Sequence, residues 1–352
     1  MTEVLPVMKP RFPDLSKPIA RFSDIQQAGV FSNFGAQTRE LETRLAEFIG
    51  APPDNVVAVS NATAGLTAAV TELGGKSWLI PSWTFSATIA AAIQAGVDVT
   101  FGDIDPTTQW LDLSNESAFD GTLLVAPFGS GFSTDLFDTT KNRVIDAAAS
   151  IAADLPDFRM MPESNIVVFS LHATKVLGIG EGGIVVCGSK DVAERVRQRV
   201  NFGFENRESI RLGFNGKMSE FQAAIGHLVM DNWETEETEW QEARSKVLEV
   251  QEQLQLKPLI TPDSSITPYW MIDFQDETFG NLVEEEFERA QIQTRRWWGL
   301  GCHTMPAYAG ISATPLPHTE DVASRYLGLP FFRGMSDGYV NRIAEALSRV
   351  LR

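Results

Sequence analysis

Cysteine is nearly absent from this sequence of 352 residues: Cys187 and Cys302 are the only two. Two thiols that far apart make neither a disulfide framework nor a zinc site, and a reduced cytoplasm is the expected compartment. Long apolar runs are missing too. The longest mostly apolar stretch, around Phe85 to Val99, is interrupted by Ser86, Thr88, Gln94 and Asp98. It is too short and too polar to span a bilayer. The opening residues, MTEVLPVMKPRFPDL, hold no apolar core of the kind a signal peptide needs. Positive charge is in deficit, with 29 Lys+Arg against 46 Asp+Glu and a net charge of −17. That balance argues against nucleic acid or an anionic membrane as a partner. Internal repeats and low-complexity tracts are also absent.

What remains is an ordinary globular composition, 43% hydrophobic and 21% charged, at a length that suits about two domains. Short apolar runs alternate with helical patterns over the first two thirds. Strands are expected at Val56–Ser60, Trp78–Ile80, Val97–Phe101, Thr122–Ala126, Arg143–Ile145, Asn165–Ser170 and Gly183–Cys187. Helices are expected at Gln37–Ile49, Thr63–Leu73 and Phe85–Ala95, and a long one at Met218–Gln255 with a break near Asn232. Buried strands alternating with helices indicate an α/β fold with a largely parallel sheet. After Pro258 the pattern changes. Tyr269–Phe274 reads as a strand and Leu282–Ala290 as a helix. The segment Trp297–Pro317 reads as loop, and Ser336 caps a last helix over Val340–Leu351. A large domain over 1–235, with an N-terminal arm, and a smaller α+β domain over 236–352 are expected.

The densest chemistry lies in Phe169-Ser170-Leu171-His172-Ala173-Thr174-Lys175, followed by Gly178-Ile179-Gly180-Glu181-Gly182-Gly183. A lone lysine is usually a solvated surface residue. One that follows a core strand in apolar surroundings is different, because desolvation favours the neutral, nucleophilic amine. The glycines formally match a dinucleotide fingerprint, but they precede a strand rather than open a helix, so that reading fails. Asn61-Ala62-Thr63-Ala64-Gly65 joins a strand to a helix, either as a plain N-cap or as a phosphate cup. Trp83 follows a strand, where it suits either the core or the face of a flat ligand. Asp146 ends a strand and is followed by alanines, and a carboxylate there needs a cationic partner. Lysine, phosphate cup, aromatic surface and carboxylate together are the parts a pyridoxal phosphate enzyme requires.

The chain resembles the DegT-type (DnrJ/StrS) sugar aminotransferases, a branch of the fold-type-I pyridoxal phosphate enzymes. The motifs that carry the likeness run in order along nearly the whole chain. They include Ser32-Asn33-Phe34-Gly35, Pro81-Ser82-Trp83-Thr84-Phe85-Ser86-Ala87-Thr88, Asp146-Ala147-Ala148 and Phe169-Ser170-x-His172-x-Thr174-Lys175. Gly213-Phe214-Asn215-Gly216-Lys217-Met218-Ser219-Glu220, His303-x-x-Pro306-x-Tyr308 and Leu327-Gly328-Leu329-Pro330 follow.

The resemblance implies roles. Lys175 would hold pyridoxal 5'-phosphate as an internal aldimine and shuttle a proton, with a pyridoxamine phosphate intermediate. Asp146 would pair with the ring nitrogen, and Trp83 would stack on the ring. Ala62, Thr63 and Ser170 would bind the phosphate. Asn215 would reach the phosphate in the partner subunit, which implies a homodimer with composite sites. A nucleotide-linked keto sugar would receive the amino group from glutamate, in the service of polysaccharide biosynthesis. Candidate substrate residues are Arg211, Lys217, Arg296 and His303, with Arg295 beside them. A sugar dehydratase, in which histidine replaces the lysine, and a non-catalytic regulatory relative are the other readings of the same scaffold. Three elements depart from the family pattern. Ala149 replaces a glutamine that contacts the cofactor's phenolic oxygen, with Ser150 or a water as the candidate substitute. Asn61-Ala62-Thr63 replaces Ser-Gly-Thr, and Lys217 replaces an arginine.

Overall fold

The computed structural model describes residues 3–15, 20–259 and 265–351. Its helices are α1 Ala20–Ala28, α2 Ala36–Ile49, α3 Ala62–Leu73, α4 Ser86–Gln94, α5 Lys190–Arg199, α6 Glu220–Asp231, α7 Trp233–Gln253, α8 Glu277–Arg289, α9 Pro317–Arg325 and α10 Asp337–Val350. The long helical pattern does break at Asn232, between α6 and α7. α6 starts at a capping box formed by Ser219 and Gln222, two orphan donors satisfied by one four-residue signal.

The strands are β1 Val56–Val59, β2 Ser77–Pro81, β3 Asp98–Gly102, β4 Gly121–Val125, β5 Asn142–Asp146, β6 Asn165–Ser170, β7 Gly183–Cys187, β8 Phe204–Glu205, β9 Glu208–Ser209, β10 Lys257–Pro258, β11 Trp270–Asp273, β12 Ser312–Ala313 and β13 Tyr326–Leu329. Eight of them form one sheet in the order β1-β7-β6-β5-β4-β2-β3-β12. Only β7 runs against its neighbours. β12 lies in the segment expected to be loop, where its two residues pair in parallel with β3.

Alternation along these strands divides the core in two. Val56, Ala58, Ile145, Val167, Phe169 and Val186 face one side, packed by Leu41 and Leu45 of α2 and Ala223 of α6. Val57, Val59, Val144, Val168 and Val185 face the other, packed by Leu66 of α3, Ile89 of α4 and Val196 of α5. Both faces are covered, which is why the strands read as unbroken apolar runs. The fold is thus α/β, with a mostly parallel central sheet flanked by helices.

Beyond it, β10, β11 and β13 make a three-stranded sheet. Its core joins Ile272 and Leu327 to Trp240 and Val247 of α7, Phe287 of α8 and Ile343 of α10. The N-terminal segment is tied here as well: Leu5 is fully buried and bridges Ile292.

Candidate active site

Strands that point the same way deliver their carboxyl ends to one rim, where ligands of α/β sheets bind. Here the rim opens into a cavity of about 820 Å³. Ser60 and Asn61 after β1, Thr84 and Phe85 after β2, Ala126 after β4, Asp146 at the end of β5 and Ser170 at the end of β6 all line it. The C-terminal half supplies the opposite wall through Tyr269, Arg295, Trp297 and Trp298.

The lysine loop is a hairpin tip. Beyond β6 and β7 the chain stays paired, Leu171 N–H to Gly182 O at 2.9 Å and Ala173 N–H to Gly180 O at 2.9 Å. A turn closed by Lys175 N–H on His172 O places Lys175 on the cavity wall. Its Nζ donates to the Tyr269 hydroxyl at 2.8 Å. The glycine run leads into β7, with no helix after it.

Asp146 is 6% exposed. Its Oδ2 accepts the Thr88 hydroxyl at 2.7 Å and its Oδ1 accepts Ala148 N–H at 3.1 Å. Burial pushes its carboxyl above the ordinary carboxylate range, against the two hydrogen bonds and the nearby charge of Lys175. No cation lies within hydrogen-bond distance of it among the described residues. A buried carboxylate without a bonded cation fits the ring nitrogen of a protonated pyridine.

The phosphate cup also has its geometry. Asn61 caps α3, its side chain accepting Ala64 N–H at 2.9 Å. Ala62 and Thr63 open the helix on the cavity wall, and Ser170 lines the same cavity. A helix N-terminus with free N–H groups and two hydroxyls suits a phosphate. The residues present therefore fit pyridoxal phosphate.

Several expected site residues stand elsewhere. Trp83 does not line the cavity. It is 3% exposed, stacked on Tyr326 with ring centroids 5.2 Å apart and edge-on to Phe128 and Trp298. The aromatic residue that this motif brings to the cavity wall is Phe85, at the N-cap of α4 and 58% exposed. Arg296 is committed to Glu284, at 2.9 Å from Nε and 2.7 Å from Nη2, and to the Ser324 carbonyl. Arg295 is the one on the cavity, its guanidinium 4.6 Å from the Trp297 ring centroid. His303 lies outside as well, its Nδ1 2.6 Å from the Ser82 hydroxyl.

Arg211 sits beside Glu72 at 3.8 Å, in a group with Arg195 and Arg199. Lys217 is off the wall, 2.8 Å from the Asn215 side chain and over the Phe202 ring, and burial lowers its amine pKa. Asn215 itself lines the cavity of its own chain. Ala149 does too, offering only a methyl, while the Ser150 hydroxyl is buried, unpartnered and outside the lining. Ser150 therefore does not substitute for the missing amide.

Sequence reasoning overlooked Phe128 and Tyr269. Phe128 stacks on Trp298 with centroids 4.0 Å apart, from a backbone at φ 48. Such a conformation is rare for a bulky residue and clusters at functional sites. Its neighbours Pro127 and Gly129 were the only signal. Among the described residues, no cluster of three His, Cys, Asp or Glu could hold a metal ion, and no helix is long and apolar enough to cross a membrane.

Comparison with known proteins agrees with this geometry. Residues 15–118 and 138–348 match the family model of the DegT/DnrJ/EryC1/StrS aminotransferase family. The chain is 28% identical to a dTDP-4-amino-4,6-dideoxy-D-glucose transaminase of Shigella dysenteriae, over 98% of each chain. It is 25% identical to a UDP-2-acetamido-2-deoxy-3-oxo-D-glucuronate aminotransferase of Pseudomonas aeruginosa, over 96% of this chain and 99% of that one. The crystal structure of DesI in the presence of its TDP-sugar product superposes with a TM-score of 0.85 at 29% identity, covering 100% of this chain and 94% of that one.

Proposed function

The chain belongs to the DegT/DnrJ/EryC1/StrS aminotransferase family, and we propose that it aminates the keto carbon of a deoxyhexose carried on a nucleoside diphosphate, with glutamate as donor. The observation that carries this is the placement of Lys175 and a cation-seeking Asp146 in one cavity with the α3 N-terminus. Pyridoxal phosphate is the cofactor, and when bound it supplies the electron sink for transferring an amino group. Everything else falls to the chain. Lys175 gives its amine as nucleophile and proton carrier. Asp146 keeps a ring nitrogen cationic. Ala62, Thr63 and Ser170 bind the phosphate, and Phe85 offers the ring face in place of Trp83. Arg295 takes the substrate diphosphate, flanked by Trp297 and Trp298, which exclude water from the sugar.

Relatives named for dTDP- and UDP-sugars support the substrate class. Retention of Lys175 disfavours the dehydratase. The chain divides near residue 235, with the cavity between the two parts. A homodimer is supported by the segment Phe202–Lys217, where Phe202, Phe204, Ile210 and Leu212 are all exposed and Leu212 is 87% so. Apolar groups gathered on one projecting segment mark a contact surface. Free, buried Cys187 and Cys302 suit the cytoplasm.

The test is reconstitution with pyridoxal phosphate, followed by glutamate and a panel of nucleotide-linked 3-keto and 4-keto sugars. The expected result is a visible cofactor band that Lys175→Ala abolishes and glutamate bleaches, with an aminated sugar found by mass. A band indifferent to Lys175 or to glutamate, or a deoxygenated product, refutes the reading.

A further inference from the structure

Lys175 has one side-chain hydrogen-bond partner among the described residues, the Tyr269 hydroxyl at 2.8 Å. Its ammonium also lies 5.2 Å from the Tyr269 ring centroid. The two residues come from different sheets. Lys175 follows β6, while Tyr269 immediately precedes β11. The phenol ring is held by Phe128, with centroids 5.7 Å apart, and by Trp297 at 5.0 Å, both edge-on. Two residues before it, the Thr267 hydroxyl donates to the Phe128 carbonyl. The hydroxyl is therefore fixed in place, and it is fixed on the lysine amine.

The cavity lining has a gap. Position 149 gives the cavity only a methyl, and Ser150 turns its hydroxyl away from the lining. A phenol can do what a methyl cannot, since its O–H both accepts from an ammonium and donates to an anion.

We propose that Tyr269 is a positioning residue for the reaction: it holds the Lys175 amine at the cavity and supplies the hydrogen bond to the cofactor's phenolic oxygen that position 149 cannot. This rests on the reading that Lys175 carries pyridoxal phosphate. A donor on that oxygen stabilises its anion. The proton shared between the oxygen and the attached lysine nitrogen is then held less tightly. Removing the donor tightens it.

The experiment is a pH titration of the visible spectrum of the holoenzyme, in wild type, Tyr269→Phe, and Tyr269→Phe combined with Ala149→Gln. Borohydride reduction and peptide mass locate the cofactor in each. Tyr269→Phe keeps the ring packing and loses one oxygen. Its spectral midpoint is expected to rise by about one pH unit, the scale of a hydrogen bond to a charged group. Ala149→Gln is expected to bring it back toward wild type, which a purely structural role of the phenol would not allow. Tyr269→His, which keeps a donor, is expected to fall between. An unchanged or lowered midpoint, with the cofactor on Lys175, overturns the proposal and leaves the family chemistry standing. A wild type without cofactor on Lys175 overturns both.

Discussion

Asp146→Asn should stabilise the protein without cofactor and destabilise it, relative to wild type, with cofactor. The replacement is isosteric. The Oδ1 contact to Ala148 N–H is kept, and the new amide can donate to the Thr88 hydroxyl, which lies 2.8 Å from the Thr84 hydroxyl and passes its own proton there. What disappears is the buried charge. The carboxyl is held above its ordinary range by burial, so the folded state binds its proton more tightly than the unfolded state does. Folding is then linked to proton uptake. Wild-type stability falls as pH rises from the unfolded carboxyl value, near 3.9, through the raised folded value, and levels off above it. Asparagine has no such loss.

Within that window the two proteins diverge by up to about 1.4 kcal/mol per pH unit. At about 2.1 cal/mol/K of unfolding entropy per residue, 352 residues convert this to about 2 °C in Tm per pH unit. Differential scanning fluorimetry of both apo proteins, from pH 4 upward, reads it directly. The curves should meet at the acid end, with the variant higher toward neutrality. Adding pyridoxal phosphate reverses the order. At 100 times Kd a ligand adds about 2.7 kcal/mol, and the wild type alone gains a partner for its buried carboxylate. Parallel Tm curves without cofactor, or equal Tm gains with it, would refute the account of Asp146 as a carboxylate waiting for a cation.

Gly183→Ala tests the phosphate cup, because a Cβ there would sit 2.9 Å from Ala62 N and 3.0 Å from Ala62 Cα. Backbone must yield, so a loss of about 1–3 kcal/mol in stability and weaker cofactor binding in fluorescence titration are expected. Arg295→Ala should raise KM for the nucleotide sugar about tenfold or more, the loss of a charge-assisted hydrogen bond, at unchanged Tm. Arg296→Ala should instead lower stability in denaturant unfolding, by about 1–3 kcal/mol, since it releases Glu284 and the Ser324 carbonyl. Phe85→Ala should weaken cofactor affinity a few-fold, at the scale of an aromatic contact of about 1 kcal/mol, with little change in stability. Trp83→Ala should cost about 3–5 kcal/mol of stability as a core deletion.

Much of this is legible in the sequence. Asp146 and Ser170 sit at the ends of strands whose apolar runs mark them as buried, and the carboxyl rim of a parallel sheet is where such residues act. Register and side were not legible. Trp83 and Phe85 occupy one motif two residues apart, yet only the second reaches the cavity. The first continues from β2 and is drawn under Tyr326 and Trp298. Arg295 and Arg296 are adjacent on an extended segment bridged to Gly328, so they point to opposite sides. No spacing rule says which side is the cavity. α5 went unread because its apolar positions are few among charges, with only Val192, Ala193 and Val196 as its buried apolar residues. α9 begins at Pro317, inside what looked like loop. Tyr269 meets Lys175, and Phe128 meets Tyr269, only once segments distant in sequence have packed together.

The charge in the cavity sharpens what a single chain lacks. The lining carries Asp146 and Glu181 against Lys175 and Arg295, a formal balance. Two phosphate-bearing ligands bring several negative charges, and one of the two cations is committed to the cofactor's carbonyl. The α3 N-terminus contributes about half a charge. Further positive charge is carried by the exposed segment that holds Leu212, on Arg207, Arg211 and Lys217. Arg211 is loosely held, 3.8 Å from Glu72 with its Nε unpartnered. Lys217 bonds only the Asn215 amide oxygen, and burial already disfavours its charge. Both would gain from an anion, which phosphates bound in a second copy's cavity would supply. In the dimer proposed above, a partner presenting that segment would bring Arg207, Arg211 and Lys217 to the charge deficit that the lining of one chain leaves.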